Sequence, residues 1–219
     1  MLNRSSLKDQ ALEVIRQDLV SGEIRPGEIH SAASMASRLG TSSGPVREAM
    51  LTLVEQGIME VVPNRGFRVT DLSDHDLDEV HELRMMLEVP AMGRLAELGL
   101  GAHAGAVRTA ARRCEEAARR QDLSEFLVTD REFHLGLLEL LGNGRLVKFV
   151  GQLRDQTRLY GLQVLAREGR LQESAAEHVE LLAAIDDGDA ARTAQVMARH
   201  LAHARSDWGP GPATALAPS

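Results

Sequence analysis

The spacing of apolar residues changes near residue 72, and this change constrains the fold more than any other feature of the sequence. Before it, short helical stretches are followed by two strand-like runs around a turn. After it, every periodic stretch has the spacing of an amphipathic helix. The sequence therefore predicts a mainly α-helical protein, with a small mixed domain at residues 1–72 and an all-helical domain at residues 73–208.

The first domain has the predicted order helix, helix, helix, hairpin. Ser31 is a suitable N-cap and Gly40 a suitable stop for the second helix, and Pro45 fits the first turn of the third. Two helices joined by a tight turn and followed by a hairpin predict a winged helix-turn-helix. The predicted helices cover 7–20, 31–39 and 42–57, and the strands 58–62 and 67–69 surround a turn at 63–66.

The second domain is divided into six predicted helices by short breaks that contain glycine. The first runs from Ser73 or Asp74 to the break at 99–101. The others cover about 102–120, 123–141, 144–168, 171–186 and 189–208. The tail at 209–219 is rich in glycine, proline and alanine, and we expect it to be disordered.

The net charge of −7 is distributed unevenly. Residues 1–70 contain eight basic and eight acidic side chains, so the acidic excess lies in residues 71–219, and the neutral first domain remains compatible with nucleic acid binding. The single cysteine, Cys114, excludes an internal disulfide framework. No apolar run is long enough to span a membrane and no signal peptide is evident, so we expect a soluble, cytoplasmic protein.

The third helix and the hairpin tip contain the residues expected to contact DNA. A helix enters the major groove N-terminus first, and this one begins with small hydroxyl residues. Arg47 lies one turn further along, within reach of a base edge or a phosphate. Two arginines beside a glycine in the hairpin would reach the neighbouring minor groove. The candidates are Ser42, Ser43, Arg47, Arg65, Gly66 and Arg68. The alternative is a protein-contact module in which Arg47 pairs with an acidic neighbour.

Pro-Val-Arg-Glu-Ala at 45–49, followed by Pro-Asn-Arg-Gly-Phe-Arg-Val at 63–69, resembles the GntR family of bacterial transcription regulators. The resemblance covers nearly all of residues 5–70 and implies binding to double-stranded DNA. The family usually has Ser-Arg-Thr-Pro where this chain has Ser-Ser-Gly-Pro at 42–45, so Ser43 replaces an arginine that usually contacts DNA. Arg38, late in the second helix, is the nearest spare cation and joins the candidates.

Asp130 and His134 lie four residues apart on the apolar face of the predicted helix at 123–141. That spacing directs a carboxylate and an imidazole into the core, where an unpaired charge would be costly. His178 and His200 occupy inward positions of two later helices. Three imidazoles and one carboxylate suit a divalent metal, with zinc or nickel favoured and manganese, cobalt or iron as alternatives. The other interpretation is that all four are ordinary hydrogen-bonded core residues.

The spacing of these four residues resembles the ligand-binding FCD domain of the FadR subfamily of GntR regulators, over roughly residues 73–207. Six helices indicate the shorter, VanR-like variant. The resemblance implies that the metal helps to hold a small organic acid. Arg84, Arg154 and Asn143 are candidates to complete the pocket for this effector. Arg84 could instead pair in solvent with Glu88, and Asn143 could be only a residue that marks a helix boundary.

Two functions follow from these features. The first is a homodimeric regulator whose binding to a palindromic operator is changed by a small organic acid at the metal site. The second is an all-helical metalloenzyme that acts on a small carboxylate. No second acid or base group is placed beside the four ligands, and an enzyme has no need of a winged helix. We therefore predict a repressor-type regulator without enzymatic activity.

Overall fold

The computed structural model describes residues 6–167 and 169–208, with side chains at all of these positions except 20–21, 103 and 158–167. The chain has two compact units, Met1–Asp71 and Leu72–Ser219. The tail at 209–219, predicted to be disordered, lies outside the described residues. Within the described ranges, the helices are too short or too polar to cross a membrane.

In its described part, the first unit combines three helices with a three-stranded antiparallel sheet. The helices are α1 (Leu7–Ser21), α2 (Ala32–Leu39) and α3 (Ser43–Glu55), and the strands are β1 (Ile29–His30), β2 (Met59–Val62) and β3 (Gly66–Val69). The strand order is β1-β3-β2. This is a winged helix-turn-helix, as predicted. β1 was not predicted; it is a two-residue strand that pairs Ile29 with Arg68.

Local sequence explains the positions of α2 and α3. The Ser31 hydroxyl accepts the Ser34 N–H and caps α2, and Gly40 ends the helix in the left-handed conformation. The inward face of α3 is apolar and fully buried at Val46, Ala49, Met50 and Leu53. The opposite face of α3 therefore points to solvent, and it presents Ser43 and Arg47.

Gly66 joins the wing turn to β3 with a positive φ of 129°. A Cβ at this position would lie 2.4 Å from the backbone oxygen of His30 in β1. That distance is far inside van der Waals contact, so β1 and β3 can pair this closely only when residue 66 is glycine. Gly66, predicted as a DNA-binding residue, therefore has a structural role in the wing.

The described part of the second unit has the six α-helices predicted, and a short 3-10 helix (Gly101–His103) lies between the first two: α4 (Asp74–Leu98), α5 (Ala104–Arg120), α6 (Leu123–Glu139), α7 (Gly144–Arg167), α8 (Leu171–Asp186) and α9 (Ala190–Asp207). α4 packs along α9, and α5 packs along α6. One apolar core contains residues from α6, α8 and α9, including Phe133, Leu181 and Val196. This core brings together the inward faces of the three helices that contain the predicted metal ligands.

Candidate functional site

Asp130, His134, His178 and His200 converge in the second unit. Asp130 and His134 lie on α6, His178 on α8 and His200 on α9, and one ligand atom from each lies within 4.8 Å of the others. The Nε2 atoms of His134 and His178 are 3.1 Å apart. Asp130 Oδ1 lies 3.5 Å from the first of these atoms and 3.3 Å from the second. The structure thus brings together all four residues that the sequence analysis selected, and we call them the metal-ligand cluster.

Three of the ligand-atom distances in the metal-ligand cluster are close to those around a divalent metal. Zinc bonds of about 2.0–2.2 Å place neighbouring ligand atoms of a tetrahedral site roughly 3.3–3.6 Å apart. The distances around Asp130 Oδ1 are close to that spacing. A hydrogen bond between two neutral imidazoles uses one proton, which leaves several acceptor atoms crowded into the same space. A cation would satisfy these acceptors, and the donor set of three nitrogens and one carboxylate suits zinc or nickel.

Burial and neighbouring charges shift the pKa values of His134, His178 and Asp130 in the metal-ligand cluster. Desolvation lowers the pKa of His178, and it lowers the pKa of His134 well below the usual range with help from the positive charge of Arg154. Burial alone would raise the pKa of Asp130, but His134 and Arg154 outweigh it and hold the pKa of Asp130 well below its usual range. Neutral imidazoles and an ionised carboxylate are the states that metal binding requires.

Glu177, on α8, orients His200. Its Oε2 lies 2.7 Å from His200 Nδ1, and its Oε1 lies 2.5 Å from His203 Nδ1. A carboxylate on one ring nitrogen fixes the imidazole and leaves the other nitrogen to bind a metal. This role of Glu177 was not predicted, because the two partners lie on different helices, 23 residues apart.

A chain of buried charges leads away from the metal-ligand cluster. Arg154 Nη2 donates to Asp130 Oδ2 at 3.3 Å, and Arg154 Nη1 donates to Glu88 Oε2 at 2.7 Å. Arg84 Nε donates to the other oxygen of Glu88, also at 2.7 Å. Arg84 is only 4% exposed. It pairs with Glu88, as in the alternative interpretation of the sequence, but the pair is buried and does not lie in solvent. Burial would raise the pKa of Glu88, but Arg154 and Arg84 outweigh burial and lower it.

Glu88 was not among the predicted site residues, although it lies four residues after Arg84 on the same helix face. Asn143, a candidate effector contact from the sequence, lies just before α7. Its side chain is exposed, and its Oδ1 accepts the backbone N–H of Leu146 in the first turn of α7. The residue therefore acts as a helix cap, and the structure does not bring it to the metal-ligand cluster.

The exposed face of α3 and the wing form an open cleft of about 600 Å³ in the first unit. Ser43, Arg47, Arg65 and Gly66 all line it, so four of the predicted DNA-binding residues share one surface. The Arg47 guanidinium carbon lies 5.7 Å from the centre of the Phe67 ring, so the arginine packs against the face of this ring. This arrangement presents positive charge at the edges of a cleft next to a helix N-terminus.

The other three predicted DNA-binding residues lie outside that cleft. Ser42 is the exposed N-cap of α3, and its side chain makes no capping hydrogen bond in the described structure. Arg38 forms an ion pair with Asp18 of α1. Arg68 forms an ion pair with Glu60 across the wing at 2.9 Å. The last two would have to exchange these partners to contact a phosphate.

A winged helix with an arginine-lined cleft, followed by an all-helical domain, is typical of the class of DNA-binding transcriptional regulators. A model described as "Bacterial regulatory proteins, gntR family" matches residues 7–69, and a model of the FCD domain matches residues 79–203. An uncharacterized HTH-type transcriptional regulator of Agrobacterium vitis is 32% identical over 127 residues, which cover 57% of this chain and 74% of that protein. A Paenarthrobacter nicotinovorans protein named "Probable D-xylose utilization operon transcriptional repressor" is 28% identical over 92% of this chain and 88% of its own length.

The solved structure of Escherichia coli McbR/YncC has 25% sequence identity and a TM-score of 0.74, and it covers 94% of this chain and 98% of its own. The chain belongs to the GntR family of bacterial transcriptional regulators, with an FCD domain after the winged helix. This result confirms the resemblance and the fold class. It also confirms the prediction of a regulator over a metalloenzyme, because the relatives are named as transcriptional regulators.

Proposed function

We propose that this regulator binds a divalent metal at the metal-ligand cluster and that a small organic acid at the metal changes its binding to operator DNA. In this proposal residues 1–72 bind DNA, residues 73–208 hold the metal and the acid, and the protein works in the cytoplasm. The observation that carries the proposal is the convergence of three imidazoles and one carboxylate beside two buried arginines.

The third helix and the wing would contact the operator. The hydroxyls of Ser42 and Ser43 lie at the N-terminus of α3, where free backbone N–H groups favour a phosphate. Arg47, supported by Phe67, would contact a base edge in the major groove. Arg65, at the exposed tip of the wing, would contact the minor groove or its phosphates. The two ion-paired arginines of the first domain would contribute less.

The protein would bind a palindromic operator as a homodimer. One winged helix offers few exposed cations, and a symmetric pair doubles both the contacts and the length of DNA that is read. Sedimentation of the full chain at micromolar concentration, with and without operator, should give the mass of two chains. The mass of one chain in both conditions would contradict the dimer.

The charges around the metal-ligand cluster favour an anionic ligand once a metal is bound. Without the metal, Asp130 and Glu88 balance Arg84 and Arg154, Glu177 adds one half-buried negative charge beside His200, and burial lowers the pKa of His134 and His178. A divalent ion adds two positive charges to this buried region, where uncompensated charge is costly. A carboxylate that binds the metal would reduce the excess, which supports a small organic acid over a neutral molecule or a cation.

Zinc binding to the full chain tests the metal site. Isothermal titration should find one zinc ion per chain in the wild type. His134→Ala should lower the affinity by about 100-fold or more, since changes in second-layer partners alone cost about 10–100-fold. His75→Ala is the matched control, because His75 is an exposed histidine of α4. If His134→Ala binds zinc as the wild type does, the four residues are ordinary core polar groups.

A panel of small mono-, di- and tricarboxylates tests the effector. Operator DNA can be obtained by selection from random sequence with the full chain. At least one acid should change the operator affinity of the zinc-loaded protein by about fivefold or more. The same acid should have no effect on His134→Ala, whose DNA-binding surface is intact. A response that persists in the metal-free protein would separate the effector from the metal and contradict the proposal.

A further inference from the structure

The end of α9 and the first turns of α4 meet at Trp208. The indole is buried, and the guanidinium carbons of Arg84 and Arg205 lie 6.0 Å and 5.8 Å from the centre of its ring. His81 makes an edge contact with the same indole, with 6.4 Å between ring centres. We name these four residues the Trp208 clamp. Trp208 is the single tryptophan of the chain.

Arg205 attaches the Trp208 clamp to the beginning of α4. Its Nε donates to Asp78 Oδ1 at 2.8 Å, and its Nη2 donates to the backbone oxygen of Asp74 at 3.3 Å. Asp74 is the first residue of α4, and residues 70–73 alone separate it in sequence from Val69, the last residue of β3. Arg205 therefore connects the clamp to the first residues of α4, which follow the wing closely in sequence.

Two separate connections lead from the metal-ligand cluster to the Trp208 clamp. The first is α9 itself, because His200 lies about two helical turns before Trp208. The second is the buried chain of charges from Asp130 through Arg154 and Glu88 to Arg84. The last residue of that chain lies against the indole ring. The clamp is thus the place where both connections end.

A divalent ion in the metal-ligand cluster would act on both connections. It would draw His200 toward the other ligands and so shift α9, and it would take up part of the charge of Asp130 that now holds Arg154. Because Arg154 and Arg84 share Glu88, a change at one alters the hydrogen bonding of the other. Helix shifts of about 1–2 Å are common in switching proteins, and they are enough to rearrange contacts of the kind that surround the indole.

We propose that the Trp208 clamp transmits metal occupancy of the metal-ligand cluster to the first turns of α4. This inference rests on the proposed metal site and deepens it, because it assigns the route by which that site acts on the segment next to the wing. Trp208 and Arg205 are positioning residues in this scheme, since neither touches the metal-ligand cluster in the described structure.

Zinc titration followed by tryptophan fluorescence tests the inference in the unmodified full chain. The emission of Trp208 should change as zinc is added and should reach a plateau at one zinc ion per chain. The midpoint of this change should agree with the zinc affinity measured by calorimetry. His75→Ala should behave in the same way, and His134→Ala should show no change. If one zinc ion binds and the emission stays constant, the clamp is not coupled to the metal and the inference is overturned while the metal site stands. If no zinc binds, both proposals fail.

Hydrogen exchange in residues 74–81 separates coupling from a purely structural role. Zinc should slow exchange there by about fivefold or more in the wild type. Trp208→Leu and Arg205→Met should still bind one zinc ion but lose this difference between the zinc-free and zinc-loaded forms. Arg192→Met, which breaks an exposed pair with Asp187 at the other end of α9, is the matched control and should keep it. Zinc-dependent slowing that persists in both clamp variants would overturn the inference.

Discussion

The two domains hold their candidate functional side chains in opposite ways. In the winged helix, Arg47 and Arg65 are exposed at an open cleft. In the FCD domain, Arg84, Glu88 and Arg154 are buried and hold one another. An exposed ion pair contributes little to stability, whereas a buried charge depends on its partner. Removal of one side chain should therefore affect DNA binding in the first domain and folding in the second.

Glu88→Gln should produce the largest effect. The substitution keeps the size of the side chain but removes the negative charge that Arg84 and Arg154 share, and breaking a buried pair costs about 3–5 kcal/mol. Glu60→Gln is the matched change in an exposed pair with Arg68, and it should cost less than about 1 kcal/mol. Urea unfolding of the metal-free full chain, followed by far-ultraviolet circular dichroism, measures both free energies of unfolding.

A double variant sharpens this comparison. Adding Arg84→Met to Glu88→Gln should restore part of the lost stability, because it removes a cation that has lost its counter-ion. Equal, small losses for Glu88→Gln and Glu60→Gln would mean that the buried chain behaves like a surface pair, and the contrast between the domains would disappear.

Acid should destabilise the FCD domain in two stages. The folded pKa values of His134 and His178 are lowered, so the unfolded chain takes up protons first, near pH 6.5. Their contribution is complete above that pH and is lost as the pH falls below it, by up to about 1.4 kcal/mol per pH unit for each histidine. Asp130 and Glu88 also have lowered pKa values, so a second loss should follow below about pH 4.5.

Urea unfolding of the metal-free chain at several pH values, followed by Trp208 fluorescence, measures this dependence in the FCD domain alone. His178→Gln should reduce the slope between about pH 6.5 and 5, because one of the histidines with a lowered pKa, which also include His134 and His81, no longer titrates. An unchanged slope in this variant would show that other groups control the acid response.

Arg47→Ala should weaken operator binding by about 1–3 kcal/mol if the side chain reads a base edge. The free energy of unfolding should change by less than about 0.5 kcal/mol, as for other surface substitutions. Arg112→Ala, in an exposed position of α5, is the control. Fluorescence anisotropy with labelled operator at fixed salt gives the affinities, and an unchanged value for Arg47→Ala would exclude α3 as the reading helix.

Arg65→Ala should give the smallest effect. A phosphate contact at the wing adds to binding on every DNA sequence, and its loss should lower the slope of log affinity against log salt by about one. The ratio of operator to non-specific affinity should stay the same. A loss confined to the operator would show that Arg65 reads sequence, and the wing would then have a different role from the one proposed.

Periodicity in the sequence was enough to select Asp130, His134, His178 and His200, because each lies on the inward face of its own helix. It could not supply the distances between them, which depend on how α6, α8 and α9 pack. The role of Glu177 could not be predicted for the same reason, because its histidine partners lie on another helix.

The remaining differences between prediction and structure arise where the local sequence does not decide which role a residue takes. An asparagine before a helix can cap it or bind a ligand with the same amide oxygen, and the sequence around Asn143 does not distinguish the two. β1 has only two residues, too few to show an alternating pattern, and its existence depends on pairing with β3. Arg38 is exposed, as expected for an arginine available to DNA, but it forms an ion pair with Asp18 of α1.

Gly66 packs closely against His30, so the fold restricts substitution at this position of the wing more than in the turn before it. Any side chain at residue 66 would push β1 away from β3, so a mutation there would act on the fold before it could act on DNA preference. Residues 63–65 are exposed in the turn and meet no such restriction. Substitutions that alter the operator preference of this regulator can therefore be accommodated in the turn and on the outer face of α3, but a side chain at residue 66 cannot.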